Sequence, residues 1–319
     1  MKSNLLFSTY IRLAALFFLT AYVAPLAAQR DDDNPNIYTG VSSAILPKDA
    51  TEINFLNSLN SFWIAQNDYD GSIDATRIVN RTRYSRADHI LRVSHGFSKS
   101  GRWDFGTEIF YTRVRLDDEA RSSPFRVYGD AFPESGTTHA GVSYIGVQAR
   151  AIPFANLPEL MLRAGFDYPI GRSEEQRLNL QAQRSILYLS ALFSQRLGPN
   201  LLGQVQGDFR SYLRNDDNVR TLLLPSASGF LIFEMPGEQW YILSGLSYNM
   251  TFQQSFKGAK VLKANQQLYG SLGVLYRPNH IFSVVLSSQI PFIFDSGSSR
   301  SIWVRESYFG LNLGFRFIF

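Results

Sequence analysis

Histidine, serine and carboxylates are the residue types that could carry hydrolytic chemistry in this chain. The histidines are His89, His95, His139 and His280. A nucleophilic site needs a His with a Ser or Asp on the same face. Asp88 adjoins His89, but neighbours on an extended chain point to opposite faces, and no H-x-S pair occurs. Metal chemistry has no better support: H-x-H, HExxH and D-x-D-x-D-G are all absent. With no cysteine, thiol nucleophiles, thiolate metal sites, disulfides and a lipid-modified Cys are excluded. The acidic run at Asp31–Asp33 reads as solvated charge in the lead-in, and Asn215–Asp217 as a tight outer loop with no specific cation signal. No catalytic, cofactor or metal site is expected.

The informative polar residues recur at every second position. In "LLGQVQGDFRSYLR", Gln204, Gln206, Asp208 and Arg210 alternate with Val205, Gly207 and Phe209. Successive strand side chains point to opposite faces, so this stretch has one wet and one dry side. The same period places Arg92, Asp104, Glu108, Gln148, Arg150, Arg163, Asp167, Asn312 and Arg316 on the wet face of other segments. Such a face suits a polar conduit whose charged bands select solutes. It equally suits a filled interior in which the charges pair across strands.

Twelve segments carry this pattern, near 52–64, 84–97, 102–116, 139–151, 159–170, 183–196, 201–214, 220–234, 239–252, 265–277, 280–291 and 303–319. A tilted strand crosses a bilayer in about 9–11 residues, and several segments are longer than that. Alternate connections are short and hold Pro or Gly: "SKSG", "PFANLPE", "LGPN", "MPGE" and "RPN". The connections of the other parity are mostly longer. Short turns on one rim and long loops on the other predict an all-β, transmembrane, antiparallel up-and-down barrel, with the short turns periplasmic. The roughly regular turn spacing also fits propeller blades, but no repeated signature supports them. A secreted β-sandwich is the soluble alternative. The longest loop, "RLDDEARSSPFRVYGDAFPESGTTH", has room to fold inward as a plug or to bind outside.

Trp103 and Trp240 fall at the turn ends of their strands, and Trp63 and Trp303 near the loop ends. Indole favours the headgroup level, so these predict two interfacial girdles. The start, "MKSNLLFSTYIRLAALFFLTAYVAPLAAQR", has Lys2 and Arg12 before or within an apolar run ending at Val23, then small residues. It reads as a secretory signal over 1–28, followed by a flexible periplasmic lead-in over 29–50 and the barrel over 51–319. Removing Lys2 and Arg12 lowers the net charge from +4 to +2, which gives no basis for nucleic-acid binding.

The last strand, "YFGLNLGFRFIF", places Phe309, Leu311, Leu313, Phe315, Phe317 and Phe319 on one face. It resembles the C-terminal assembly signal of bacterial outer-membrane β-barrels. That resemblance implies a cell outer-membrane location, outer-membrane lipids as surroundings, and recognition by the barrel-assembly machinery. More narrowly, "LPKDATEINFLNSLNSFW" resembles the first strand of barrels from Bacteroidota-type envelopes, some grouped with phenol- and hydrocarbon-pathway transporters. Barrel phospholipases carry His and Ser two apart on a strand, a pair this chain lacks. The expected function is a passive channel or transporter for small solutes, without a cofactor and without enzymatic activity. The alternatives are a structural or interaction barrel with a filled lumen and binding loops, and then an enzyme at the rim.

Overall fold

The computed structural model describes residues 45–67, 78–119, 121–129, 136–171, 173–213, 222–237, 239–254, 261–294 and 301–319. The expected signal over 1–28, and the lead-in as far as residue 44, lie outside the described residues. The chain divides into Met1–Asn36 and a compact unit, Ile37–Phe319, and only the latter is described.

Twelve antiparallel strands form the unit: β1 (Thr51–Asn67), β2 (Ile78–Gly96), β3 (Trp103–Asp117), β4 (Gly136–Ala151), β5 (Leu160–Pro169), β6 (Ile186–Gly198), β7 (Leu201–Tyr212), β8 (Leu222–Glu234), β9 (Trp240–Gln254), β10 (Val261–Tyr276), β11 (Phe282–Phe294) and β12 (Ser301–Ile318). Each pairs with its sequence neighbours, and β12 returns to β1, so the sheet closes into a barrel with no free edge. The closing seam pairs Glu52 with Ile318, Asn54 with Arg316 and Asn60 with Gly310.

The two faces are inverted relative to a water-soluble protein. Leu272 and Ile290 point outward and are 62% and 61% exposed, whereas Asp104, Glu108 and Arg150 point inward at 1%. Charged residues are rarely fully buried unless paired. This arrangement belongs to a sheet whose outside meets hydrocarbon and whose backbone polar groups are all paired within the wall. On β3 the outward residues are Trp103, Phe105, Thr107, Ile109 and Tyr111, followed by Arg113 and Arg115. At ~3.3 Å per residue and a tilt of about 40°, Trp103 to Tyr111 rises roughly 20 Å, close to the height of a barrel's apolar band.

β2 begins at Ile78, six residues before its expected start at 84, and β10 begins at Val261 rather than 265. These extensions project past the apolar band, where neither face needs to be apolar, so alternation fades while pairing continues. The tight turns use glycine where φ is positive: Gly101 at 62° between β2 and β3, and Gly237 at 101° between β8 and β9.

The two loop-end connections with helical turns go to opposite sides of the wall. Between β3 and β4, the 3-10 turn Pro124–Tyr128 lies on the outside. Its Val127 packs on the outward Leu59 and Ala87, and Phe125 meets Phe309 edge-on at 5.6 Å. Between β5 and β6, the short helix α1 (Glu174–Asn179) and Leu180–Ala182 fold inward against Tyr144 and Ile186. The plug-like insertion therefore comes from this loop, while the described part of the longest loop covers the outer wall.

Candidate functional site

The lumen is built from alternate residues of every strand, and its side chains form layers. Nearest the turns, Glu52 of β1 accepts from Arg316 Nε and Nη2 at 2.9 and 2.7 Å and from Arg150 Nη1 at 3.2 Å. Arg150 also grips Asp104 with two bonds of 2.8 and 2.9 Å. Asn54 donates to Glu52 at 2.6 Å. Arg150 on β4 thus reaches past β2 and β3 to β1, a chord across the interior rather than a neighbour contact.

A second layer centres on Glu108. Arg92 donates two bonds of 3.0 and 2.8 Å, Arg163 approaches at 3.2 Å, and the Tyr188 hydroxyl donates at 2.5 Å. Arg163 Nε donates to Gln148, whose amide donates in turn to Ser94. Asp167 lies buried beside this layer with one carboxylate oxygen unpartnered. Gly146 makes room for it, because a Cβ there would strike the Asp167 carboxylate. Further round the wall, Asp208 accepts from Ser190 at 2.5 Å and from Gln206 at 2.9 Å. Toward the loops, Arg86 pairs with Asp88 at 2.8 Å, and Arg86 and Tyr84 both donate to Gln181 of the inserted loop.

These contacts make one sector of the interior, β1 to β6 with Arg316 of β12, a packed ionic wall. Buried pairs lose hydration in proportion to what they gain by attraction, so the network fixes geometry more than it adds net stability. The other sector differs. From β8 to β11 the described inward residues at mid-height are Ser228, Phe230, Gly245, Ser247, Tyr269, Ser271, Gly273, Ser287 and Gln289: uncharged and mostly short, with the Phe230 ring lying over Gly245 and Tyr269 buried. Here uncharged side chains stand where paired arginines and glutamates stand opposite.

The turn end is closed. Ile232, Tyr241, Leu243 and Leu275 form an apolar cluster inside the wall. A cavity of about 10 Å³, enough for one water, lies between Asn54, Leu275, Val285 and Arg316. Opposite, the segment preceding β1 crosses the mouth: the Leu46 amide donates to Asp104 at 3.0 Å, and Ile45 packs on the inward Met161 and Leu192.

Of the residues expected on the wet face, Arg92, Asp104, Glu108, Gln148, Arg150, Arg163, Asp167, Gln204, Gln206 and Arg316 lie buried inside the barrel. Asp208 is half-buried in its hydrogen bonds, Asn312 stands half-buried with its amide 3.4 Å from Ser287, and Arg210 is exposed. Sequence reasoning missed Glu52, Asn54 and Tyr188. Glu52 and Asn54 alternate with Ile53 and Phe55, the signal used elsewhere, but they stand at the strand's start. Tyr188 was obscured because tyrosine also suits the lipid boundary.

Outside, Trp103 and Trp240 are exposed at the turn end, and Trp240 packs on Tyr276 at 4.5 Å. Trp63 lies at the loop end beneath the Arg83 guanidinium at 5.8 Å. Trp303 pairs with Ile64 through its backbone, and its side chain is outside the described set. In β12, Phe309, Leu311, Leu313, Phe315 and Phe317 share the outward face, with Phe317 4.9 Å from Phe282 and stacked on Phe319 just past the strand. His89 also faces outward, bonded to Asn57 at 2.6 Å, and His95 bonds Thr51 at 2.9 Å; neither meets a serine–carboxylate pair. Among the described residues, no cluster of three His, Asp or Glu side chains is placed to hold a metal ion.

Taken together, the closed wall, apolar exterior and polar interior define the outer-membrane type of β-barrel. Solved structures with this fold include an outer-membrane channel from Pseudomonas putida F1, at TM-score 0.60 and 16% identity over 89% of this chain and 100% of that one. They also include the β domain of the Bordetella autotransporter BrkA, at 0.50 and 12% over 84% and 99%. The monoaromatic hydrocarbon channel TodX, as a deletion mutant, aligns at 0.45 and 8% over 90% and 93%. For the first two, the likeness is one of fold. No family model and no curated protein matches the sequence.

Proposed function

We propose that the protein is a passive outer-membrane channel for small solutes, with the tight turns in the periplasm. The observation that carries this reading is the asymmetry of the lumen. The charged sector is packed and internally paired, while the sector from β8 to β11 carries uncharged side chains, mostly short and half-accessible at mid-height, with the rings of Phe230 and Tyr269 among them. Solute would pass along that second sector without energy input from this chain. The Ile232, Tyr241, Leu243 and Leu275 cluster fills the turn end of that sector, and Ile45 and Leu46 cross the mouth against Asp104, Met161 and Leu192, so passage requires both to move. The fold shared with outer-membrane channels supports the reading in general terms.

The packed turn end favours a second reading, a barrel closed throughout its life that works through its loops. Planar-bilayer recording on the purified full-length protein separates the two. Discrete conductance steps support the channel, and a bilayer that stays sealed with inserted protein refutes it.

A further inference from the structure

Hydrogen-bonding capacity left unused inside the barrel shows what the lumen can still recognise. On the ionic side, Glu52, Asp104, Glu108, Arg92, Arg150 and Arg163 are all engaged with one another. A charged solute finds little to bind there without breaking a buried pair.

The opposite sector is different. At mid-height, where β10, β11, β12 and β1 meet, the Tyr308 hydroxyl lies 2.8 Å from Asn60 Oδ1 and 3.0 Å from Gln289 Oε1 and shares its one proton between them. Tyr269 packs against the Tyr308 ring at 5.3 Å, which holds that ring in place. The register puts Asn60 opposite Gly310, and Gly310 opposite Gln289. Glycine between the two amides lets the Tyr308 ring lie over the strand there, since a Cβ on Gly310 would sit 2.8 Å from Tyr308 Cε1 and 2.9 Å from its hydroxyl. Ser271 stands opposite Gln289 on the next strand, and Asn312 with Ser287 forms the next rung. Among the described residues, the amide nitrogens of Asn60 and Gln289 and the hydroxyl of Ser271 have no protein partner, and all three residues are half-accessible.

Amides and hydroxyls both donate and accept, as the hydroxyl groups of a sugar do. A site that hydrogen-bonds neutral hydroxyls disfavours solutes that cannot reciprocate, because its own polar groups then lose water without replacement. The Tyr308 ring adds an apolar face for the C–H side of a pyranose. We propose that Asn60, Gln289, Tyr308 and Ser271 form a subsite for neutral polyhydroxylated solutes, of the size and chemistry of mono- and disaccharides. This rests on the channel reading above and names its solute class.

The test uses full-length protein in proteoliposomes and in detergent. Swelling rates in sucrose and in sodium gluconate are normalised to the KCl conductance of the same preparation. Sucrose is expected to enter faster than gluconate. Gln289→Leu and Tyr308→Phe are expected to slow sucrose about three- to tenfold each, the factor of one neutral hydrogen bond. Tyr308→Phe changes one atom, so it keeps the test usable if the leucine variant fails to fold. Gluconate entering as fast as sucrose, or variants that leave sucrose entry unchanged, would overturn the proposal. If the protein conducts no KCl, the channel reading fails by itself, and calorimetric titration of the detergent-held protein with sucrose still reads the subsite. Binding lost in both variants supports it; absent binding to the unmodified protein overturns it.

Discussion

Replacing Arg150 with methionine tests whether the ionic sector is a dry, packed wall or a watered conduit. Met keeps much of the apolar stem volume and removes the guanidinium. The change deletes two bonds to Asp104 and one to Glu52. Glu52 keeps Arg316, but Asp104 is left at 1% exposure with the Leu46 amide as its remaining described hydrogen bond. Breaking a buried pair from one side costs about 3–5 kcal/mol, because an uncompensated charge stays behind. The same change in a solvated lumen would cost about 0–1 kcal/mol, as for surface pairs. With a urea slope of about 3 kcal/mol per molar, the buried case shifts the unfolding midpoint by about 1–1.7 M. Urea unfolding of detergent-folded protein, read by heat-modifiable gel mobility, measures that shift. The double variant Arg150→Met/Asp104→Asn neutralises the orphaned charge and keeps an acceptor for Leu46, so it should recover at least half of the loss. A single-variant shift below about 0.3 M, the scale of a surface pair, would refute the packed-wall account. So would a double variant no more stable than the single.

Arg210 is exposed on the inward face, so Arg210→Glu should move the reversal potential of an open channel toward cation preference; an unchanged potential would remove it from the conducting path. Asp208→Asn should move the potential less, since Ser190 and Gln206 already hold that carboxylate. Gly146→Val should destabilise the barrel by about 1–3 kcal/mol through overpacking against Asp167 and Glu108, seen as a lower midpoint in the same urea assay. Gln181→Ala removes the acceptor shared by Tyr84 and Arg86, so the inserted loop should become more open to trypsin at Arg177 and Arg184. Equal cleavage rates would mean that the loop is held by Leu180, Ala182 and the Tyr144 bond to the Gln181 carbonyl.

Much of this molecule was legible as a one-dimensional pattern. A period of two needs no partner to be seen, and each strand repeats it independently. Hence the number of strands, the outward row Phe309 to Phe317, and the inward row at Gln204, Gln206 and Asp208 could all be read directly. Even the lumen's asymmetry left a trace: the expected inward residues crowd between Arg92 and Arg210 and resume only at Asn312. Only closure decided the rest. Glu52 meets Arg150 across 98 residues and Arg316 across 264, and these chords depend on barrel radius and strand stagger, which no local segment specifies. The same holds for the loop between β5 and β6, which turns inward because the mouth it meets offers Tyr84, Arg86 and Tyr144. It holds as well for Ile45 and Leu46, which find Met161, Leu192 and Asp104 only once the far wall stands opposite. Alternation assigns each side chain to a face, while the circumference of the closed sheet determines which side chains meet within it.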